Sequence, residues 1–264
     1  MEKINGVAVY RQGNPTGKPV VFIHAFPLTH AMWDGQIEFL SKAYSTVSYD
    51  VRGHGDSEVG DGQYTLELFV DDLFAILDCL NVKDAVLCGL SMGGYIALRA
   101  VEREPKRFSG LVLCDTKSAS DGNEAKIKRA LSLRAIKEKG IESFADGFIP
   151  QVLSPKTLQT KPQIAKSARE LLLKNSVTGV CGALLALAAR TDTTEALAKM
   201  NLPTLILVGQ EDKVTPLAAA ESMSKALPRA TLQVIPEAAH LANLENPKAR
   251  VLMVWSWCRS TDCR

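Results

Sequence analysis

No apolar run in this chain approaches the roughly 20 residues that a membrane-spanning helix needs. The first residues, Met1-Glu2-Lys3-Ile4-Asn5-Gly6, lack the apolar core of a secretion signal. Both absences predict a cytoplasmic protein with no membrane partner. Neither sign of charge dominates: 31 Lys and Arg stand against 29 Asp and Glu, a formal +2. That balance gives no general drive toward nucleic acid. Only four histidines occur, not at metal-ligand spacing, and there is no C-x-x-C, so no metal and no cofactor is expected. The six cysteines do not read as a disulfide framework. Cys88 and Cys114 fall in apolar strand-like runs, Cys79 and Cys181 in apolar helical ones, where free cysteine behaves as a small buried hydrophobe. Cys258 and Cys263 sit in the tail and would pair only in an oxidising compartment. Internal repeats and low-complexity tracts are absent too. What remains is 264 residues, enough for one large α/β domain or a domain with an insertion.

The run Gly89-Leu90-Ser91-Met92-Gly93-Gly94 follows apolar Ala85-Val86-Leu87-Cys88 and precedes Tyr95-Ile96-Ala97-Leu98. It reads as strand, tight turn, helix, with G-x-S-x-G in the turn. Such a turn lifts a serine hydroxyl to the top of a sheet, at the start of the next helix. Small residues two before and two after the serine let the backbone fold that sharply. Taken alone, the pentapeptide also fits a glycine-rich loop with an idle serine.

Along the chain, Val7-Ala8-Val9-Tyr10, Pro19-Val20-Val21-Phe22-Ile23, Ser45-Thr46-Val47-Ser48-Tyr49, Phe108 to Cys114, Thr204 to Gly209 and Thr231 to Ile235 read as further strands. Several are continuous apolar runs, as in a parallel sheet covered on both faces. Helices are expected over 32–40, 65–80, the stretch after Ser91 through about 103, 216–227 and 247–257. Residues 123–199 read as mainly helical segments, with breaks near Pro150, Pro155 and Pro162. The expected organisation is therefore a core of residues 1–118 and 200–264 with an inserted helical cap at 119–199. The alternation of strands and helices predicts a mostly parallel sheet with helices on both faces. The polar residues that invite chemistry, at 24–28, 91–92, 212 and 240, all follow strands. In a parallel sheet those ends share one edge, where ligands bind.

Five segments in this order, His24-Ala25-Phe26-Pro27, Asp50 to Ser57, Gly89 to Gly94, Gly209-Gln210-Glu211-Asp212 and Glu237 to Pro247, resemble the α/β-hydrolase family, in its cap-bearing serine esterase and enol-lactonase branch. The resemblance covers nearly the whole chain. It departs at Ala25 and Ala239, where the family usually has glycine. It implies an eight-stranded sheet and a triad of Ser91, Asp212 and His240. A base is needed because a serine hydroxyl is a poor nucleophile at neutral pH. Histidine titrates near neutrality, and a carboxylate on its other nitrogen fixes the tautomer. The backbone N–H groups of Phe26 and Met92 are the expected oxyanion donors. Asp115 is a second candidate for the acid. His24 is read as organising the oxyanion loop, and Asp50, Arg52, His54 and Asp56 as a structural network.

The implied activity is hydrolysis of a small carboxylic ester or lactone. A serine nucleophile argues against the family's epoxide hydrolases and dehalogenases. Acyl transfer, perhydrolysis, carbon–carbon hydrolysis and a slow-turnover receptor stay open. Residues 123–199 hold 13 Lys and Arg against 7 Asp and Glu. Solvated helix faces explain that excess, and so does steering of a carboxylate-bearing substrate. Arg129 and Arg134 are the candidates for such steering, and Trp33, Phe26 and Met92 for an apolar acyl pocket. The expected partner is the small-molecule substrate.

Overall fold

A computed structural model describes residues 1–247 and 257. Eight strands form one sheet: β1 (Glu2–Ile4), β2 (Val7–Gly13), β3 (Pro19–Ile23), β4 (Ser45–Tyr49), β5 (Ala85–Leu90), β6 (Phe108–Cys114), β7 (Thr204–Gly209) and β8 (Ala230–Ile235). Their spatial order is β1-β2-β4-β3-β5-β6-β7-β8. β1 and β2 pair antiparallel, as do β2 and β4, and every later pair is parallel. β5 and β7 are buried at all six positions, which their unbroken apolar runs require. β8 lies at the edge and alternates Thr231 and Gln233 with apolar residues.

β1 is not expected from the sequence pattern. Its signal was the dipeptide Asn5-Gly6, which has φ of 49° and 80° and joins Ile4 to Val7 as a two-residue hairpin. The helix expected from residue 32 begins instead as a 3-10 turn, His30–Trp33, and continues as α1 (Asp34–Leu40). α2 (Leu66–Cys79) starts at a Thr65 cap, whose hydroxyl accepts from the Leu68 N–H at 3.1 Å. Cys79, expected in the core, is exposed at the end of that helix. α3 (Met92–Arg103) leaves directly from Ser91.

Between β6 and β7 the chain is helical: α4 (Asn123–Val152), α5 (Pro155–Thr160), α6 (Pro162–Leu173) and α7 (Val177–Ala188). α4 breaks at Gly140, whose φ of 85° is left-handed, and not near Pro150, which sits in its last turn. Glycine supplies the reversal there because a side chain would strain it. Pro155 and Pro162 do mark breaks, each in the first turn of a helix. α8 (Leu217–Ala226) lies between β7 and β8, and α9 (Ala242–Glu245) follows β8. The final helix expected over 247–257, with Cys258 and Cys263, lies largely outside the described residues. No single described helix is long and apolar enough to cross a membrane.

Candidate active site

β5 ends at Leu90 and α3 begins at Met92, so Ser91 alone reverses the chain. Its φ of 53° and ψ of −110° cost a non-glycine residue roughly 1–3 kcal/mol. The surroundings hold it there. Its N–H donates to the Cys114 carbonyl at 3.0 Å, and its own carbonyl accepts from the Thr116 hydroxyl at 2.8 Å. Gly89 and Gly93 permit the turn, because a Cβ on Gly89 would strike the Gly93 carbonyl and one on Gly93 the Ile23 carbonyl.

His240 arrives on the loop after β8. Its Nδ1 lies 2.9 Å from Oδ2 of Asp212, on the loop after β7. Asp212 also accepts from the Thr215 hydroxyl at 2.6 Å and from the N–H groups of Val214 and Thr215 at 2.8 and 3.1 Å. Burial pushes the Asp212 carboxyl pKa up, but the His240 charge and hydrogen bond, with Thr215, outweigh it and hold it below the ordinary value. Asp115 serves the sheet instead, where its Oδ1 accepts the Gly209 N–H at 2.7 Å and ties β6 to β7. The N–H groups of Phe26 and Met92 have no acceptor among the described residues. Met92 N–H is the first of α3, where the helix dipole favours an anion.

Ser91, His240 and Phe26 line one cavity of about 440 Å³. Its apolar wall is Phe26 with Phe144 and Phe148 from α4, rings 6.5 and 6.2 Å from Phe26, and Leu184 and Leu187 from α7. Its cationic wall is Lys117, Lys128, Arg129 and Lys213, with Asp121 and Glu124 among them. Asp121 is the hub. It pairs with Arg129, with buried Arg190 at 2.7 Å and with Lys117 at 3.5 Å. Burial raises its pKa, but Arg129 and then Arg190 hold it at about 2. Arg190 lies 4.2 Å from the centre of the Tyr95 ring, which also faces the cavity. Burial and then repulsion from Arg190 push the Lys117 ammonium pKa down.

Three expectations change. Trp33 is 1% exposed and packs on Phe22 at 5.4 Å, in the core and away from the cavity. Arg134 is exposed and pairs with Glu138 on its own helix. The Met92 side chain is buried in the core and is not part of the cavity lining. The sequence pattern does not single out Lys117, Asp121, Tyr95 or Arg190. The first two follow β6 within seven residues of Cys114, and that placement at a parallel strand's end was the available signal.

Asp50, Arg52, His54 and Asp56 do not line the cavity. Asp50 accepts from the His30 N–H and contacts the His30 ring, Arg52 pairs with Asp72, and Asp56 accepts from Tyr10. His24 stands at the base of the 25–28 loop: its Nε2 accepts the Val51 N–H at 2.8 Å, and its Nδ1 faces the Ala25 carbonyl at 2.9 Å. Accepting from an amide requires a neutral ring. Burial, with His54 beside it, pushes the His24 pKa down to about 3. The unfolded chain therefore binds a proton between about pH 6.5 and 3 that the folded chain refuses, and stability falls across that window. The expected result is a urea midpoint that drops below pH 6.5, with a His24 ring resonance that does not titrate between pH 7 and 4. A His24 resonance titrating near 6.5 would contradict the assignment.

The model of the Alpha/beta hydrolase family matches residues 20–253. The chain is 29% identical to 3-oxoadipate enol-lactonase 2 of Acinetobacter baylyi over 230 residues, 87% of this chain and 84% of that one. A thermophilic esterase from Thermogutta terrifontis, solved with malate bound, superposes with a TM-score of 0.92 at 35% identity, covering 97% of this chain and 93% of that one. The enol-lactonase from Burkholderia xenovorans gives a TM-score of 0.90 at 25% identity, over 97% and 98%. The match spans nearly the whole chain and sits on a sheet whose strand ends bring Ser91, Asp212 and His240 to one edge: the chain belongs to the alpha/beta hydrolase family.

Proposed function

We propose that the protein hydrolyses a small carboxylic ester or lactone through an acyl-enzyme on Ser91. The observation that carries this reading is a strained, cavity-facing serine sharing its cavity with an imidazole bonded to a buried carboxylate. His240 takes the Ser91 proton as Oγ bonds to the substrate carbonyl carbon. The carbonyl oxygen becomes an oxyanion between the Phe26 and Met92 N–H groups. Collapse breaks the bond to the leaving oxygen, which receives the proton from His240. Water then attacks the acyl carbon, gives a proton to His240, and Ser91 leaves as the hydroxyl while the acid departs. Asp212 steadies the imidazolium in both halves. The enol-lactonase and esterase relatives support this chemistry. Incubation with a small p-nitrophenyl phosphonate is expected to add one phosphonyl group, mapped by peptide mass to Ser91. No adduct, or an adduct elsewhere, would remove the reading.

The cationic wall favours substrates that carry a carboxylate. Asp121 and Glu124 neutralise part of it, yet the four cations Lys117, Lys128, Arg129 and Lys213 exceed those two charges. Arg129 has further guanidinium donors beyond the Nε that binds Asp121. A dicarboxylate, malate, is bound in the related esterase. Replacing Arg129 with Met is expected to raise KM for the monoethyl ester of a small diacid about tenfold. KM for a neutral ethyl ester of equal length should hardly change. Steady-state kinetics on the pair checks this, and equal effects on both esters would assign Arg129 to structure alone.

A further inference from the structure

Glu245 is 2% exposed, and no described residue offers it a cationic partner at its carboxylate. Both oxygens are nevertheless used. Oε1 accepts the Ala239 N–H at 2.7 Å, one residue before His240. Oε2 accepts the Ser154 N–H at 2.8 Å, just beyond α4. A carboxylate that leaves water needs such donors, and two backbone amides suit it. The residue on the other side of His240 is fastened to the same place, since the Leu241 N–H donates to the Val152 carbonyl at 3.1 Å. The Ser154 hydroxyl adds a bond to the Glu237 carbonyl at 3.2 Å. Lys161, from the turn before α6, donates to the Glu245 carbonyl at 3.0 Å. His240 is thus clamped on both flanks to the end of α4. That same helix carries Phe144, Phe148 and Gln151 into the cavity wall.

We infer that Glu245 is a positioning residue that locks the His240 loop to the end of α4, so that the helix bearing the substrate wall and the general base move as one unit. This rests on the hydrolase reading for its kinetic consequence, and on the hydrogen bonds alone for its structural one. Two backbone amides both donate to Glu245. A glutamine there can satisfy only one of them, because its NH2 cannot accept. The loop then loses one anchor while side-chain volume is kept. Misplacing a catalytic group by about 1 Å costs about 100-fold in rate.

The test compares wild type with Glu245→Gln and Glu245→Asp, each normalised to folded protein by circular dichroism. Two readouts are used. The first is kcat and KM for a neutral p-nitrophenyl ester. The second is the downfield proton resonance of the His240 Nδ1–H bonded to Asp212. The expected result is kcat lowered roughly 10- to 100-fold with KM within about threefold, and a shifted or broadened His240 resonance. Aspartate, one methylene shorter, cannot span both amides and serves as the second variant should glutamine prevent folding. An unchanged resonance and unchanged kcat per folded molecule would overturn the inference and leave Glu245 a packing residue. The resonance needs no turnover. A wild type without esterase activity but with a resonance sensitive to Glu245 would defeat the hydrolase reading and leave the lock standing.

Discussion

Replacing Ser91 with alanine is expected to lower kcat for a p-nitrophenyl ester by about four to six orders of magnitude. The substitution removes only Oγ. Alanine keeps the Cβ, so the positive φ of 53° costs the variant what it costs the parent. The carbonyl and N–H of residue 91 keep their bonds to Thr116 and Cys114. Folding stability should therefore change by less than about 1 kcal/mol, and the thermal midpoint serves as the control. Residual rate above that of water would come from the Phe26 and Met92 N–H groups, which do not depend on the hydroxyl. Burst kinetics with p-nitrophenyl acetate reads the acyl-enzyme directly. Wild type should release one equivalent rapidly, and the variant none. Equal steady-state rates in the two proteins would place the chemistry elsewhere.

The features legible in the sequence were those with a local cause. A strand buried on both faces must be apolar along its length, which exposed β3, β5, β6 and β7. A turn as tight as that at Ser91 must have glycine where backbone meets backbone. The parallel sheet then brings distant loops to one edge, so position made Asp212 and His240 candidates, while the family resemblance joined them to Ser91. What escaped needed a long-range partner or a helix orientation. Arg129 and Arg134 both lie on α4, yet five residues rotate a helix by about 140° net. One therefore faces Asp121 and the other solvent. The helix is polar on most sides, and nothing in its pattern says which face is docked. The cluster at Asp121 joins residues 71 positions apart in Ala119 and Arg190, a closure no periodicity announces. Trp33 misled because large aromatics fill cores as readily as pockets. Glu245 was visible only as part of a motif; its two amide partners, one of them 91 residues away, gave it meaning.

Asp212 and Asp115 both follow parallel strands, and the geometry separates them by what each would lose. Asp212→Asn is expected to lower kcat about 10,000-fold. An asparagine amide facing His240 Nδ1 can donate to it, which would place the imidazole proton on Nε2, the nitrogen that must accept from Ser91. The loss should therefore appear in acylation, as a slow burst, and not in KM. Asp212 is also held by Thr215 and two backbone N–H groups, so asparagine keeps part of its anchoring and the loop should stay in place. Asp115→Asn retains an oxygen able to accept the Gly209 N–H. It should change kcat less than about tenfold and show itself, if at all, in thermal stability. Pre-steady-state acylation of the two variants side by side decides the matter. A large acylation defect in Asp115→Asn with little in Asp212→Asn would move the acid to the end of β6. Because Asp212 lies 2.9 Å from the imidazole and Asp115 bonds the backbone of the next strand, the opposite result is the one the structure predicts.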